Sequence, residues 1–410
     1  MRPVGTRPAS AAPWEAALER RLSELEQASL LRRLRPVDRP VAPVVVRDGR
    51  RLLNLSSNNY LGLADHPAVK AAMAQAAERG AGATASRLVV GTDRECLELE
   101  ERIAAFKGTE AALLFGTGYL ANLGVLSAVL GRDDAVFCDR LNHASTWDGV
   151  RLSRAALYRY DHADAEHLEW MLRESEREGH ERRLIVTESV FSMDGDVAPL
   201  EAIADLAERF GAGLVVDEAH AGGVFGPHGQ GYAHHLGIGE RVDLSIGTFG
   251  KAFGVYGAYA AGSRTWIRYL VNACRPFIFT TALPPAVVGG IGAALELVRD
   301  ADEPRRTLAR CAARFRKRLD ELGFDTRGST TQIVPAVVGE SERALAFAEA
   351  LVERGVLGVA IRPPTVPAGT ARARFSLTAA HTERDVDAAL AAIEGAGRAV
   401  GVLAYASKEE

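Results

Sequence analysis

The rhythm of hydrophobic and polar positions changes three times along the chain. Near the start, "WEAALERRLSELEQASLLRRL" places Trp14, Leu18, Leu22, Leu25 and Leu34 at helical spacing among arginines and glutamates. That predicts one amphipathic helix, docked on the main body or on a second subunit. From about residue 56 to 295, short apolar runs ("AALLF", "AVFCD", "LIVTES", "GLVVDEAH", "VDLSIGT", "YGAYAAGS") alternate with helical stretches such as "PLEAIADLAERFG". Strand–helix alternation predicts a mainly parallel sheet with helices on both faces. A long helical segment over 284–323 follows. After it come the strands "TQIVPAVVG", "GVLGVAIRP" and "ARARFSLTA", with a helix between the first two and another at the end. The expected organisation is an N-terminal helical segment (1–55), a large α/β domain (56–295) and a smaller α/β domain (296–410).

Composition narrows the classes. With 47% hydrophobic and 25% charged residues over 410 positions, the chain is an ordinary globular protein. A net charge of -4 argues against a nucleic-acid or anionic-membrane partner. Cys96, Cys138, Cys274 and Cys311 lie far apart with no C-x-x-C pair, which predicts buried thiols in a reducing compartment and no zinc or other metal site. The start, "MRPVGTRPASAAPW", lacks the apolar core of a signal peptide. No run approaches the ~18 apolar residues of a membrane span. A cytoplasmic protein is expected.

In open parallel sheets, ligands bind where strands end and helices begin, and four stretches fall there. "ALLFGTGYLANLGVL" runs strand, Gly-rich turn, helix: Gly116 and Gly118 let the backbone approach a ligand, and the helix N-terminus offers N–H groups to an anion. Its glycine spacing is not that of a dinucleotide fingerprint or a P-loop, and a plain tight turn fits as well. "GLVVDEAHAGG" ends an apolar strand on Asp217, with His220 three residues on. A buried acid there needs a cation or donors; a helix cap is the plainer alternative. "DRLNHAST" puts His143 after another strand, where a lone histidine is usually structural. "TESVFSMDGD" supplies Glu188, Ser192, Asp194 and Asp196, without the spacing of a calcium loop.

"SIGTFGKAFG" adds a lysine. Of 49 basic residues only five are lysines: Lys70, Lys107, Lys251, Lys317 and Lys408. An exposed salt-bridging Lys251 could have been an arginine; one that must lose its proton and bond to carbon could not. The ten residues alone equally fit a loop lysine. Together, though, an anion-binding turn, a strand-end aspartate, a histidine and a later lysine are the parts of a pyridoxal phosphate site. The turn would take the phosphate, Asp217 would keep the ring nitrogen protonated, and the lysine would form a Schiff base.

The chain also resembles a known family, the α-oxoamine synthases, which are pyridoxal phosphate enzymes of the aspartate aminotransferase fold (fold type I). The matching pieces run in order: "LSSNNYLGLADHP", "GAGATASRLVVG", "LFGTGYLAN", "DRLNHAST", "TESVFSMDGDVAPL", "DEAHAGGVFG", "SIGTFGKAFG" and "RPFIFTTALPP". "IRPPTVPAGTARARFSLTAAH" is similar to the biotin-pathway branch, which condenses L-alanine with a pimeloyl thioester of coenzyme A or an acyl carrier protein. This chain reads His-Ala-Gly-Gly where that branch often has Gly-Thr-Gly after the histidine. The resemblance implies that Lys251 is the Schiff-base lysine and base, and Thr248 a phosphate ligand. It places Gly118, Tyr119 and Glu188 around the cofactor, His143 stacked on its ring, Asp217 on the ring nitrogen, and His220 and Ser192 near the phenolic oxygen. Asn58 and Arg374 are implied to hold the amino-acid carboxylate, and Arg32, Arg362 and Thr365 to be acyl-side or gate contacts. Thr280 or Thr281 is implied to reach the phosphate of the partner in a homodimer with shared active sites. Sister activities using glycine and another acyl thioester remain the alternatives, as does a non-catalytic partner subunit, which would be expected to lack the lysine.

Overall fold

The computed structural model describes residues 13–403, and these form three sheets with helices around them. The Pro-rich start and Lys408 lie outside the described residues. The first strands, β1 (Val44–Arg47) and β2 (Arg50–Asn54), form a hairpin. It turns on Asp48 and Gly49, both at positive φ (51° and 74°). Asp-Gly is a strong two-residue hairpin signal, and it lies inside the segment expected to be helical. The N-terminal helix itself is shorter than its leucine spacing suggested. It spans Pro13–Gln27, and Ser29 then turns left-handed (φ 57°) while Leu30 and Leu31 donate back to the Leu25 carbonyl. Leu34 falls beyond the helix and is fully exposed, and Trp14, Leu18 and Leu22 are also exposed, so this apolar face does not dock on the body of its own chain.

The large sheet contains β3 (Ala111–Phe115), β4 (Ala135–Asp139), β5 (Ala156–Tyr160), β6 (Arg183–Glu188), β7 (Gly213–Asp217), β8 (Leu244–Thr248) and β9 (Ala258–Gly262), in the order β3-β9-β8-β7-β6-β4-β5. All neighbours are parallel except β9, which is antiparallel to both β3 and β8. The fold is the expected α/β architecture of a mainly parallel sheet. β4 shows why it has no polar face: Val136 and Cys138 pack into one core cluster and Ala135 and Phe137 into another, so helices cover both sides. β5, "ALYRY", escaped the sequence reading because its exposed Leu157 and Arg159 break the apolar run.

The C-terminal part holds β10 (Ile333–Gly339), β11 (Val356–Leu357), β12 (Val359–Ile361) and β13 (Ala371–Ser376). β13 lies between β10 and β12 in an antiparallel sheet, while β11 pairs in parallel with β2. The expected single strand "GVLGVAIRP" is thus two, divided at Gly358, where a Cβ would come within 2.8 Å of Leu351 and Phe375. The expected long helix is also two, Pro285–Arg299 and Asp302–Leu322, broken at Asp300 and Ala301. All four cysteines are free and buried, as expected. Among the described residues, no helix is long and apolar enough to cross a membrane.

Candidate active site

Four strands end on the residues that matter most: β4 on Asp139, β6 on Glu188, β7 on Asp217 and β8 on Thr248. Glu188 and Asp217 are direct partners across the β6–β7 ladder, so their carboxyls share one face of the sheet. Both are buried. Asp217 Oδ2 accepts from the Asn122 side chain (2.7 Å) and Oδ1 from the Ala219 N–H (2.8 Å). Asn122 also donates to Ser145 Oγ (3.1 Å), and Ser145 bonds His143 Nδ1 at 2.7 Å. The His143 side chain stays open to solvent at the head of its helix. Glu188 differs: its Oε1 is buried without a partner. Burial first, then the Asp217 charge, raises its carboxyl well above the usual range, against the pull of Lys251.

Lys251 sits in the turn between β8 and antiparallel β9, and backbone bonds close that turn. Phe249 N–H donates to Gly257 O, Val255 N–H to Phe249 O, and Gly254 N–H to Lys251 O. Gly254 is required there, because at φ 70° a Cβ would lie 2.2 Å from the Ala64 nitrogen. Phe249 and Phe253 are wholly buried edge to face beneath it. The lysine's Nζ is 2.8 Å from His220 Nε2, and His220 Nδ1 is 2.7 Å from Tyr60 Oη. Burial, then the charges of Lys251 and Arg374, hold His220 well below its ordinary value, so its ring is neutral. With Nε2 accepting from Lys251, Nδ1 carries the ring proton and donates to Tyr60, whose hydroxyl donates to Asn58 Oδ1 (3.1 Å). Burial also pushes the Lys251 amine down to about 8, aided by Arg374 and opposed by Asp217 and Glu188.

Arg374 is buried on β13 and has no carboxylate partner among the described residues. It donates to Asn58 Oδ1 (3.1 and 3.2 Å), Ser376 Oγ (2.9 Å) and the Ser192 carbonyl. A guanidinium held only by neutral acceptors is poised for an anion. Ser192 therefore takes part through its backbone, and among the described residues no hydrogen bond engages its hydroxyl. At the other side of the site, the helix Gly118–Val129 begins against β8: a Cβ on Gly118 would meet Thr248 Cβ at 3.6 Å. Thr117 caps the Leu120 N–H, which leaves the N–H groups of Gly118 and Tyr119 facing outward. The Tyr119 hydroxyl donates to Asp148, and its ring stands edge-on to His143.

Not every expected residue joins this cluster. Arg32, Arg362 and the exposed Thr365 line a separate cavity of about 820 Å³, together with Arg33, Arg35 and Arg47. Arg362 donates only to backbone carbonyls, those of Ser29 and Leu31. Burial, then Arg32 and Arg35, lowers its guanidinium. Val359 of the cavity wall pairs with Arg374 across β12–β13, so one strand separates the cavity from the Arg374 site. Thr280 and Thr281 lie beside Gly116 in a narrow cleft and, among the described residues, make no side-chain hydrogen bond to the Lys251 group.

Comparison with known proteins is decisive here. Residues 50–393 match the family model "Aminotransferase class I and II". The chain belongs to this family. An 8-amino-7-oxononanoate synthase of Geobacter sulfurreducens is 52% identical over 388 residues, covering 93% of this chain and 98% of that one. A serine palmitoyltransferase from S. paucimobilis, solved with pyridoxal phosphate and myriocin, is 34% identical with a TM-score of 0.87, over 94% of this chain and 98% of that chain. An 8-amino-7-oxononanoate synthase structure from Francisella tularensis is 26% identical with a TM-score of 0.72, over 84% and 97%. These are α-oxoamine synthases, the group that the sequence motifs resemble. Against the class I and II background, the sequence reading missed Asn122, Tyr60 and Gln332, whose side-chain amide donates to the His220 carbonyl (2.8 Å). Asn122 and Tyr60 stand inside quoted motifs, one turn beyond Gly118 and two residues beyond Asn58. Gln332 had no local signal.

Proposed function

We propose that the protein is a pyridoxal phosphate-dependent acyltransferase of the 8-amino-7-oxononanoate synthase type, condensing L-alanine with a pimeloyl thioester and releasing CO2 in biotin biosynthesis. The observation that carries the site assignment is Lys251, its amine lowered to about 8 and 2.8 Å from a neutral His220, beside the strand-end pair Glu188 and Asp217. Near-full-length relatives of that name, at about half identity, support the substrates.

The residues present fit the cofactor. The cradle between Gly118 and Thr248 and the free first-turn N–H groups suit a phosphate. The orphaned Glu188 Oε1 is a group awaiting a polar ligand. Pyridoxal phosphate, when bound, supplies an aldehyde for amine capture and a ring that takes up the electron pair left when Cα loses its proton. Asp217, fixed by Asn122 and Ala219, holds the ring nitrogen protonated by its charge, and His143 offers an open face for stacking. Lys251, in part unprotonated near neutral pH, removes the Cα proton and returns it after the new carbon–carbon bond has formed and CO2 has left. His220, relayed through Tyr60 and Asn58 to Arg374, keeps the lysine aimed. Arg374 and Asn58 bind the alanine carboxylate. Arg32, Arg362 and Thr365 face the acyl donor, whose carrier is coenzyme A or an acyl carrier protein.

A homodimer is part of the reading. Leu88, Val89, Val90 and Phe279 are exposed on two segments joined by the Ser86–Thr281 bridge, beside the Thr280 cleft. A second copy covering this apolar face would bring Thr280 or Thr281 toward the partner's phosphate. The test is a screen in which L-alanine, glycine and L-serine compete for pimeloyl thioester. Alanine should give by far the fastest CO2 release; glycine or serine in first place would move the protein to a sister activity.

A further inference from the structure

His162, just beyond β5, has no role in the site as described, yet its ring is clamped between two acids. Its Nδ1 lies 3.0 and 3.1 Å from the Asp139 carboxylate oxygens, and its Nε2 lies 2.7 Å from Asp196 Oδ2. Asp139 is the last residue of β4 and is buried; its carboxylate also accepts from the Leu141 and Ala163 N–H groups. Asp196 has His162 as its only side-chain donor among the described residues, since its Oδ1 is buried without a partner. Phe191 stands edge-on to the imidazole at 4.4 Å. Among the other titratable neighbours, Tyr160 keeps a buried hydroxyl without a hydrogen-bond partner, which burial and then the nearby Asp139 charge hold protonated, while Asp161 faces Arg140 and His167 and Asp194 faces Arg372.

The turn 191–196 is therefore held from two sides. Within it, Phe191 N–H donates to Asp196 O and Gly195 N–H to Phe191 O. On the C-terminal side, Arg374 grips the Ser192 carbonyl, Arg372 pairs with Asp194, and Thr330 N–H and Thr331 Oγ donate to Gly195 O. On the large-sheet side, His162 alone ties the turn's Asp196 to the end of β4. We propose that His162 is a positioning residue for amino-acid binding: as an imidazolium it anchors the 191–196 turn to the sheet, and the turn aims Arg374 at the substrate carboxylate. This rests on the assignment of Arg374 made above. Burial would lower the imidazole, but the hydrogen bonds to Asp139 and Asp196 outweigh it and push it up to about 9. Its folded value lies above the ordinary one, so the clamp is complete below about pH 6.5 and is lost as pH rises through about 9.

The experiment compares wild type, His162→Gln, Asp196→Asn and Arg374→Ala as holoenzymes of checked cofactor content and Tm. In His162→Gln the KM for alanine should rise roughly tenfold, with the thioester KM and kcat nearly unchanged, because only the aim of Arg374 is loosened. Asp196→Asn, which keeps the shape and removes one charge, should show the same split at smaller size. It should also lower the pH at which the His162 ring titrates by NMR. Both KM values moving together, or an unchanged alanine KM in a folded variant, overturns the inference. If His162→Gln fails to fold, Asp196→Asn decides by the same two readouts. An unchanged alanine KM in Arg374→Ala sinks the underlying assignment and the inference with it. A raised KM there with none in His162→Gln or Asp196→Asn sinks the inference alone.

Discussion

Around Lys251, polar side chains form two hydrogen-bonded chains, Lys251–His220–Tyr60–Asn58–Arg374 and Asp217–Asn122–Ser145–His143. Around Arg362, three guanidiniums (Arg32, Arg47 and Arg362) lack an ion pair among the described residues, and Arg362 hangs on two backbone carbonyls of the turn and stretch that follow the N-terminal helix. The first region is set by the ends of β6, β7 and β8 and the turns that follow them; the second is assembled from the stretch 29–37, Arg47 of β1, one face of the helix Ser341–Glu353, β12 and the loop after it. The difference teaches where each half of the reaction is written. Proton transfer at Cα needs groups fixed to a few tenths of an ångström, and strand ends provide that. Choice among long acyl donors needs room and unsatisfied charge, which loops provide.

The largest effect should come from the rigid region. Lys251→Ala should keep its fold and lose turnover by ~10³-fold or more, since both anchor and base disappear; near-normal rates in single-turnover assays would end the reading. Asp217→Asn keeps the hydrogen-bond shape and removes the charge. It should slow α-deuterium exchange from labelled alanine by about 10²-fold, and an unchanged rate would reduce Asp217 to a turn residue.

Much of this region was legible in the sequence because the chemistry fell on strand termini. Apolar runs ending in Glu188, Asp217 and Thr248 announced themselves, and the scarcity of lysine singled out Lys251. What stayed hidden were partners brought in from far along the chain. Tyr60 meets His220 across 160 positions and Gln332 meets the His220 carbonyl across 112, and no local period encodes such pairings. The N-terminal region misled for a different reason. Leucine spacing continued past Gln27 although left-handed Ser29 had already turned the chain, and the Asp48-Gly49 hairpin was overlooked. β2 then carries this stretch into a parallel pair with β11, which ties it to the C-terminal part.

Smaller effects probe the boundary between the regions. Arg374→Ala should weaken alanine by about ten- to a hundredfold, the ~1.5–3 kcal/mol of a charge-assisted carboxylate contact. If the thioester suffers instead, the two substrate ends are reversed. In the cavity, Arg32→Ala or Arg362→Ala should lower kcat/KM for pimeloyl thioester by roughly tenfold and barely change an octanoyl donor, which has no distal polar group to lose. Equal losses on both donors would assign the arginines to structure or to the carrier. The mildest test changes only pH. In cofactor-free protein, capture of pyridoxal phosphate should quicken with a midpoint near 8, where the buried amine loses its proton, instead of near 10.5. A midpoint near 10.5 would mean that Lys251 is solvated in solution.

The reaction itself is tested most directly by stoichiometry. Holoenzyme given L-alanine and pimeloyl thioester should release thiol and CO2 in equal amounts, matched by one aminoketone. Thiol without CO2 would be plain thioester hydrolysis, CO2 without thiol a simple decarboxylation, and either would contradict a single site that joins the two substrates.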